Sequence, residues 1–295
     1  MKEYNEIIKE ICIEENINLT TYQGGWLKEL RKGNKTRYIV GYKFSLNNQG
    51  ISLIVDDKGL FYDAIKNKLP IIIHHVLFNN YDSDEVLNIF HKYNDKLIIK
   101  GNIGTCGREV FKITNEKRLF NIIDRLFENQ YSISLCPYYD IDKEYRLIVL
   151  NNDIKLIYSK ENPTIIGDGV KTIKELLLDF NSSYYSVNQV ENENYIPKQG
   201  EKVIVEYRFN LSNGARVNTD IDDELKNRLI ELARKVVKET NLSFGSIDII
   251  RTINNELYIM EANSGVMMNN YLKQTRDYET VKNIYRDAIL EMMKE

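Results

Sequence analysis

The stretch Phe244 to Asn263, FGSIDIIRTINNELYIMEAN, constrains this chain more than any other. It reads as two strands, Ser246 to Thr252 and Glu256 to Glu261, joined at Asn254-Asn255. Asn tolerates the positive φ that a tight hairpin turn demands. With those two at the turn centre, Ile253 pairs with Glu256, and counting back sets Asp248 opposite Glu261. Like charges opposed on an apolar hairpin repel each other, so the pairing makes sense with a cation between them. Asn263 lies two residues beyond Glu261 and points to the same side while the strand lasts. Asp, Glu and an Asn amide oxygen are hard ligands suited to Mg²⁺, which takes its remaining ligands from water and substrate phosphates. A solvated hairpin with two unpaired carboxylates is the alternative. Ile247, Ile249, Ile250 and Ile259 argue against such exposure.

A chain of 295 residues can hold two or three packed units around one cleft. Its 43% hydrophobic and 28% charged residues are the balance of a soluble globular protein. A net charge of −3 with no long basic run shows no nucleic-acid footprint, yet leaves room for a nucleotide ligand. Cys12, Cys106 and Cys136 are widely spaced and form no CxxC or Cys/His cluster, which argues against zinc and for free thiols in a reducing cytoplasm. The N-terminus lacks the apolar core of a signal peptide. No run of about 18 apolar residues exists to cross a membrane.

Along the chain, Ile7, Ile8 and Ile11 stripe an N-terminal helix, and Trp26, Leu27 and Leu30 suggest a second, short one. Arg37 to Lys43 reads as a strand. Residues 1–55 form a small α/β piece. A helix reaches Lys66, and the LPIIIHHVLF run is a buried extended segment. Its His74 and His75 face opposite ways, so they cannot share one ion. Asp84 to Tyr93 is a helix, KLIIK a strand ending at Lys100, and Asn115 to Glu128 another helix. YSISLCPYY is a strand. Glu144 to Leu150 and Ile154 to Ser159 form a hairpin about Asn151-Asn152. PTIIGDG reads as a loop, KVIVEYRF as a strand, Asp220 to Glu239 as the most regular helix, Val266 to Tyr271 as a loop and Arg276 to Met293 as a terminal helix.

The loop Gly101 to Gly107 carries glycine at every third position, a spacing that lets backbone N–H groups approach phosphate oxygens. A plain hairpin turn has the same look. The grammar does exclude a P-loop, because Lys100 precedes the glycines and a strand follows them. It also excludes a protein kinase, since HRD and DFG are absent.

The ordered set of motifs resembles the ATP-grasp carboxylate–amine ligases, and most of all the ATP-grasp region of cyanophycin synthetase and bifunctional glutathione synthetases. The motifs are Asp57-Lys58, Lys100 with its glycine loop, Glu144-Tyr145-Arg146, IIGDGVKTIKELL, QGEKVIVEYRFNLSNG, and Asp248 with Glu261-Ala262-Asn263. They span roughly residues 50–272. The resemblance implies an α+β fold in which two subdomains hold ATP between two antiparallel sheets. It implies a division into residues 1–55, a central subdomain 56–136 with the glycine-rich lid, and a C-terminal subdomain 137–295 with the metal site.

Roles follow by position. Lys58 and Lys100 match lysines that contact ATP phosphates, and Gly101, Gly104 and Gly107 belong to the lid. Glu144 matches the acidic residue that binds the ribose. Asp248, Glu261 and Asn263 match the ligands of two Mg²⁺ ions, with Mn²⁺ as an alternative. Arg208 and Asn210 lie where the family contacts the transferred phosphoryl group or the acyl phosphate. The implied reaction joins a small carboxylate to an amine, an amino acid or short peptide, through an acyl phosphate, with ADP and phosphate released. Phosphotransfer to a stable acceptor, or nucleotide binding without turnover, are the other readings. Homo-oligomers are frequent in the family.

The sequence departs from the family at three places. Leu135-Cys136-Pro137-Tyr138 stands where the adenine-lining strand usually carries Glu, leaving backbone at Pro137 and the Tyr138 ring to line the base. Glu206 stands where an Arg commonly precedes the NLS sequence. The N-terminal piece is short.

Overall fold

The computed structural model describes residues 3–104, 109–181, 192–204 and 206–294. Helix α1 (Tyr4–Glu14) buries the expected stripe of Ile7, Ile8 and Ile11. Four strands follow as an antiparallel meander: β1 (Asn18–Tyr22), β2 (Leu27–Lys32), β3 (Lys35–Val40) and β4 (Lys43–Phe44). The short helix expected from Trp26 is strand β2. Gly33 at φ 58° and Asn34 turn the chain between β2 and β3, and pairing on both sides outweighs the weak helical spacing. Helices α2 (Gln49–Asp56) and α3 (Lys58–Ile65) are capped by Asn48 and Asp57, whose side chains accept from Ile51 and Leu60 amides.

The central unit is a sheet with two helices on it. Its elements are β5 (His75–Phe78), α4 (Ser83–Lys92), β6 (Leu97–Gly101), β7 (Val110–Ile113), α5 (Glu116–Phe127) and β8 (Ser132–Pro137). The order is β5-β8-β6-β7, all antiparallel. Asp82 and Asn115 cap the two helices, and Val86, Phe90, Leu119 and Ile123 pack on Ile99 and Leu135.

The C-terminal unit opens with the long hairpin β9 (Ile141–Leu150) and β10 (Asp153–Glu161). Next come β11 (Thr164–Ile166), α6 (Ile173–Asn181) and β12 (Lys202–Ile204). Within the stretches read as a loop and a full strand, β11 and β12 pair as a small ribbon. Then follow β13 (Arg216–Asn218), α7 (Asp223–Thr240), β14 (Phe244–Thr252) and β15 (Leu257–Asn263). The main sheet runs β13-β10-β9-β14-β15, again antiparallel throughout. Helix α8 (Asn269–Thr275) occupies part of the expected loop, and α9 (Tyr278–Lys294) starts after Arg276 breaks the helix at φ 58°. Antiparallel sheets with helices packed on them are the α+β architecture expected from the sequence. Among the described residues no helix is long and apolar enough to cross a membrane.

The main sheet has two unlike faces. Tyr145, Leu147, Val149, Ile247 and Ile249 pack on α7 through Leu229, Ala233 and Val236, and on Phe61 and Ile65 of α3. Thus α3, assigned by sequence to the central subdomain, shares its core with the C-terminal sheet, while the central core runs from Leu77 to Leu135. The apolar stripe of α3 is one helical turn long, and the sheet with α7 is what covers it. On the opposite face Ile148, Leu150, Tyr158 and Phe244 pack under α1 and α9. Beyond the reach of that cover the same face turns charged.

Candidate active site

The charged end of the face is built by strand alternation. On β9, Glu144 and Arg146 continue the side presented by Ile148 and Leu150. Across the ladder Glu144 pairs with Lys160, Arg146 with Asp248, and Asp248 with Glu261. Ser246 pairs with Asn263, which keeps Asn263 on the same side as Glu261, their side chains 3.4 Å apart.

The predicted opposition of Asp248 and Glu261 is present, by another route. The turn has three loop residues: the Thr252 N–H donates to the Glu256 carbonyl (2.9 Å), and Asn255 takes φ 64°. That shifts the register one place, so Ile249 faces Ile259 and Arg251 faces Leu257. A bulge at Met260 shifts it back and restores Asp248 to Glu261.

Asp248 is fully buried, and the cations on it belong to the protein. Arg146 donates to both carboxylate oxygens, Nε to Oδ1 at 2.8 Å and a terminal nitrogen to Oδ2 at 2.5 Å, and Lys160 Nζ donates to Oδ1 at 3.2 Å. Burial alone pushes the Asp248 carboxyl up; Arg146 and Lys160 outweigh it and hold the group at about 2. Lys160 also pairs with buried Glu144. There burial dominates and pushes the carboxyl up to about 7 against the pull of Lys160.

Lys58 and Lys100 are both buried. The Lys58 ammonium donates to the carbonyls of Gly104 (3.1 Å) and Asn102 (3.3 Å), at the base of the glycine loop. Burial lowers its proton affinity and so does Lys100, whereas Glu261 acts the other way. One carboxylate of the proposed metal set therefore faces a proposed phosphate-binding lysine. Burial, with the charges of Lys100 and Lys58, holds the His74 imidazole neutral. It meets Ser134 Oγ (2.7 Å) and Cys136 Sγ (3.2 Å), while His75 turns to Tyr93 (3.0 Å), as opposite-facing neighbours should.

The remaining predicted residues are placed as follows. Pro137 ends β8 opposite Leu97, and the Tyr138 ring lies 4.2 Å from the Lys112 ammonium. Arg208 is clamped by Glu206, Nε at 2.9 Å and a terminal nitrogen at 2.5 Å, so the acid at the family's Arg position neutralises the nearby Arg. The Asn210 side chain accepts from Ser212 N–H and caps the 3₁₀ turn Leu211–Asn213. Gly101 ends β6. Gly107, Cys106 and most of the polar segment after Asn181 lie outside the described residues.

Two functional candidates carry no assigned role in the sequence reading, Arg146 and Lys160. Arg146 stands in a quoted motif. Lys160 is hidden by a bulge at Lys155 in β10, since an unbroken two-residue hairpin sets Ser159 opposite Glu144.

The donor chemistry fits Mg²⁺. Glu261 offers a carboxylate beside the Asn263 amide, whose Nδ2 donates to Glu261 Oε1 (3.4 Å), and a carboxylate has about four lone-pair sites, of which Asp248 has three engaged. Among the described residues no group of three or more His, Cys, Asp or Glu is arranged to hold a metal ion. The expected set contains two carboxylates and an amide.

No family model matches the chain. The glutathione biosynthesis bifunctional protein of Clostridium perfringens (strain 13 / Type A) is 24% identical over 269 residues, covering 82% of this chain and 34% of that protein. The crystal structure of a bifunctional glutathione synthetase from Pasteurella multocida superposes with a TM-score of 0.57 at 15% identity, over 96% of this chain and 44% of that one. A D-alanine–D-alanine ligase from Bacillus anthracis gives a TM-score of 0.58 at 13% identity, over 84% and 71%. The chain spans about a third of the length of the curated relative it matches. The chain has the ATP-grasp α+β fold of these structures.

Proposed function

We propose that the chain is an ATP-dependent carboxylate–amine ligase acting on an amino acid or short peptide, in the cytoplasm. What supports this is that the charges of Lys100 and Glu261 both act on buried Lys58, and that Glu261 lies across from Asp248 and two residues before Asn263 on the ladder. Lys58 and Lys100 hold the β- and γ-phosphates. Glu144 takes the ribose hydroxyls once Lys160 shares its charge with phosphate. The substrate carboxylate attacks the γ-phosphorus, the bond to ADP breaks, and an acyl phosphate forms. The amine adds to the acyl carbon, phosphate leaves, and the amide remains. Glu261, Asn263 and the free lone pair of Asp248 would hold Mg²⁺, which when bound offsets charge on the transferring phosphoryl group. The side chains position and neutralise, so no nucleophilic Ser or Cys is needed.

The test is a screen of phosphate release over pairs of amino acids and small carboxylates. A ligase releases ADP and free phosphate only when carboxylate and amine are both present. With the true carboxylate, hydroxylamine traps a hydroxamate. ADP release without hydroxamate or free phosphate would instead identify a phosphotransferase.

A further inference from the structure

Lys58 is held in place by its neighbours, and one side chain organises them. Asn102, two residues after Lys100, is 3% exposed. Its Oδ1 accepts from Gly59 N–H (3.0 Å). Its Nδ2 donates to Asp57 Oδ2 (2.8 Å) and to Ser132 Oγ (3.2 Å). Its own N–H donates to the Ser132 carbonyl (3.1 Å), and its carbonyl accepts from both the Lys58 N–H and Lys58 Nζ (3.3 Å each). Both amide hydrogens and the amide oxygen of the side chain are satisfied in a buried place, where each loss leaves a polar group stranded.

The contacts join three segments. Asp57 to Gly59 open α3, which shares its core with the C-terminal sheet. Asn102 closes β6, and Ser132 opens β8, both strands of the central unit. The approach at Gly59 is close: a Cβ there would lie 2.3 Å from Val76 Cγ2. Asp57 is itself fixed, because its Oδ1 caps α3 at Leu60. Among the described residues the Lys58 ammonium hydrogen-bonds only to carbonyls of the Asn102 to Gly104 segment.

We propose that Asn102 is a positioning residue that pins Lys58 and the base of the glycine loop into one unit across the seam between the two sheets. The place of the ammonium is thereby set by the loop base and not by α3 alone. The pinning stands on the contacts above; its use in holding a nucleotide phosphate rests on the ligase function proposed for the site. Aspartate at 102 would set two carboxylates face to face where the 2.8 Å bond now lies. Exchanging the two residues, Asn102→Asp with Asp57→Asn, rebuilds that bond with reversed polarity. Asn at 57 still caps Leu60, and Asp at 102 still accepts from Gly59 N–H and from the Ser132 hydroxyl.

The experiment compares wild type, Asn102→Asp and the exchanged double variant in the full chain. Amide hydrogen exchange is followed on peptides covering 57–62 and 98–104, and MgATP affinity by calorimetry. In Asn102→Asp both peptides exchange faster together and ATP binds about tenfold more weakly, as losing a hydrogen bond to a charged partner implies. The double variant recovers both readouts, which a merely misfolded single variant would not foretell. Faster exchange in one peptide only, or in neither, overturns the proposal, as does an ATP defect that the exchanged pair fails to repair. Wild type that binds no ATP would refute the ligase function while the exchange data still decide the pinning.

Discussion

Replacing Lys160 with Met removes the one ammonium shared by Glu144 and Asp248. Asp248 keeps Arg146 on both oxygens, which continues to favour its ionised form. Glu144 loses its ion-pair partner in a site where burial already holds its carboxyl at about 7. Its folded-state value therefore rises further. A carboxyl raised on folding contributes stability that is full below the ordinary glutamate range and lost as pH climbs through the folded value. At about pH 5.5 Glu144 is neutral in both proteins, and Lys160→Met loses its hydrogen bonds to Asp248 and to the neutral Glu144 carboxyl, about 1–3 kcal/mol. Above about pH 7 wild type ionises Glu144 against Lys160 and the variant does not. The penalty then grows by about 1.4 kcal/mol per pH unit. It approaches the ~3–5 kcal/mol of a broken buried pair. Urea unfolding midpoints at about pH 5.5, 7 and 8.5 measure it. A penalty that is flat or shrinking with pH would refute the reasoning, and Glu144→Gln added to Lys160→Met should abolish the slope.

Asp248→Asn with Glu261→Gln should eliminate Mg²⁺-dependent ADP release, and full turnover in that variant would remove both residues from the metal set. Lys100→Ala should weaken MgATP binding by at least about tenfold, the loss of one charge-assisted contact; calorimetry showing unchanged affinity would rule out its phosphate role. Gly59→Ala should destabilise the fold by ~1–3 kcal/mol through overpacking, because the added methyl meets Val76 at 2.3 Å, and Val76→Ala should recover part of the loss. A neutral Gly59→Ala midpoint would show that the seam has slack.

Much of this was legible where local chemistry and tertiary packing agree. Ser83 or Asp82, and Asn115, mark helix starts in the sequence; the structure caps those helices with Asp82 and Asn115, and the stripe Leu225, Leu229, Leu232, Ala233 and Val236 marks α7. Where two patterns compete, pairing decides: Trp26, Leu27 and Leu30 have helical spacing, yet Gly33-Asn34 folds that segment back as β2. Asn102 gave no signal because its worth lies in contacts to residues about 30 and 45 positions away in sequence, and nothing in a glycine-rich loop marks one Asn from another.

The electrostatics of the site were the least legible part, and one-residue insertions explain why. Cross-strand partners share a side of a sheet, and a slip of one residue moves a whole strand segment to the other side. Without the bulge at Met260, the three-residue turn would set Met260 opposite Asp248 and send Glu261 to the side of Ile247, into the core covered by α7. Without the bulge at Lys155, Lys160 would face Lys143 and Ser159 would face Glu144. Counting from an assumed two-residue turn reached Asp248 opposite Glu261 only because the real turn is longer by one and the bulge returns that residue. The same count missed Lys160, where no longer turn offsets the bulge. Bulges re-aim side chains beside functional sites, and here two of them gather Glu144, Arg146, Lys160, Asp248 and Glu261 onto one side of one sheet. The metal pair predicted from the hairpin is thus one edge of a larger network, whose cations neutralise Asp248 from within the sheet and leave Glu261 turned toward Lys58.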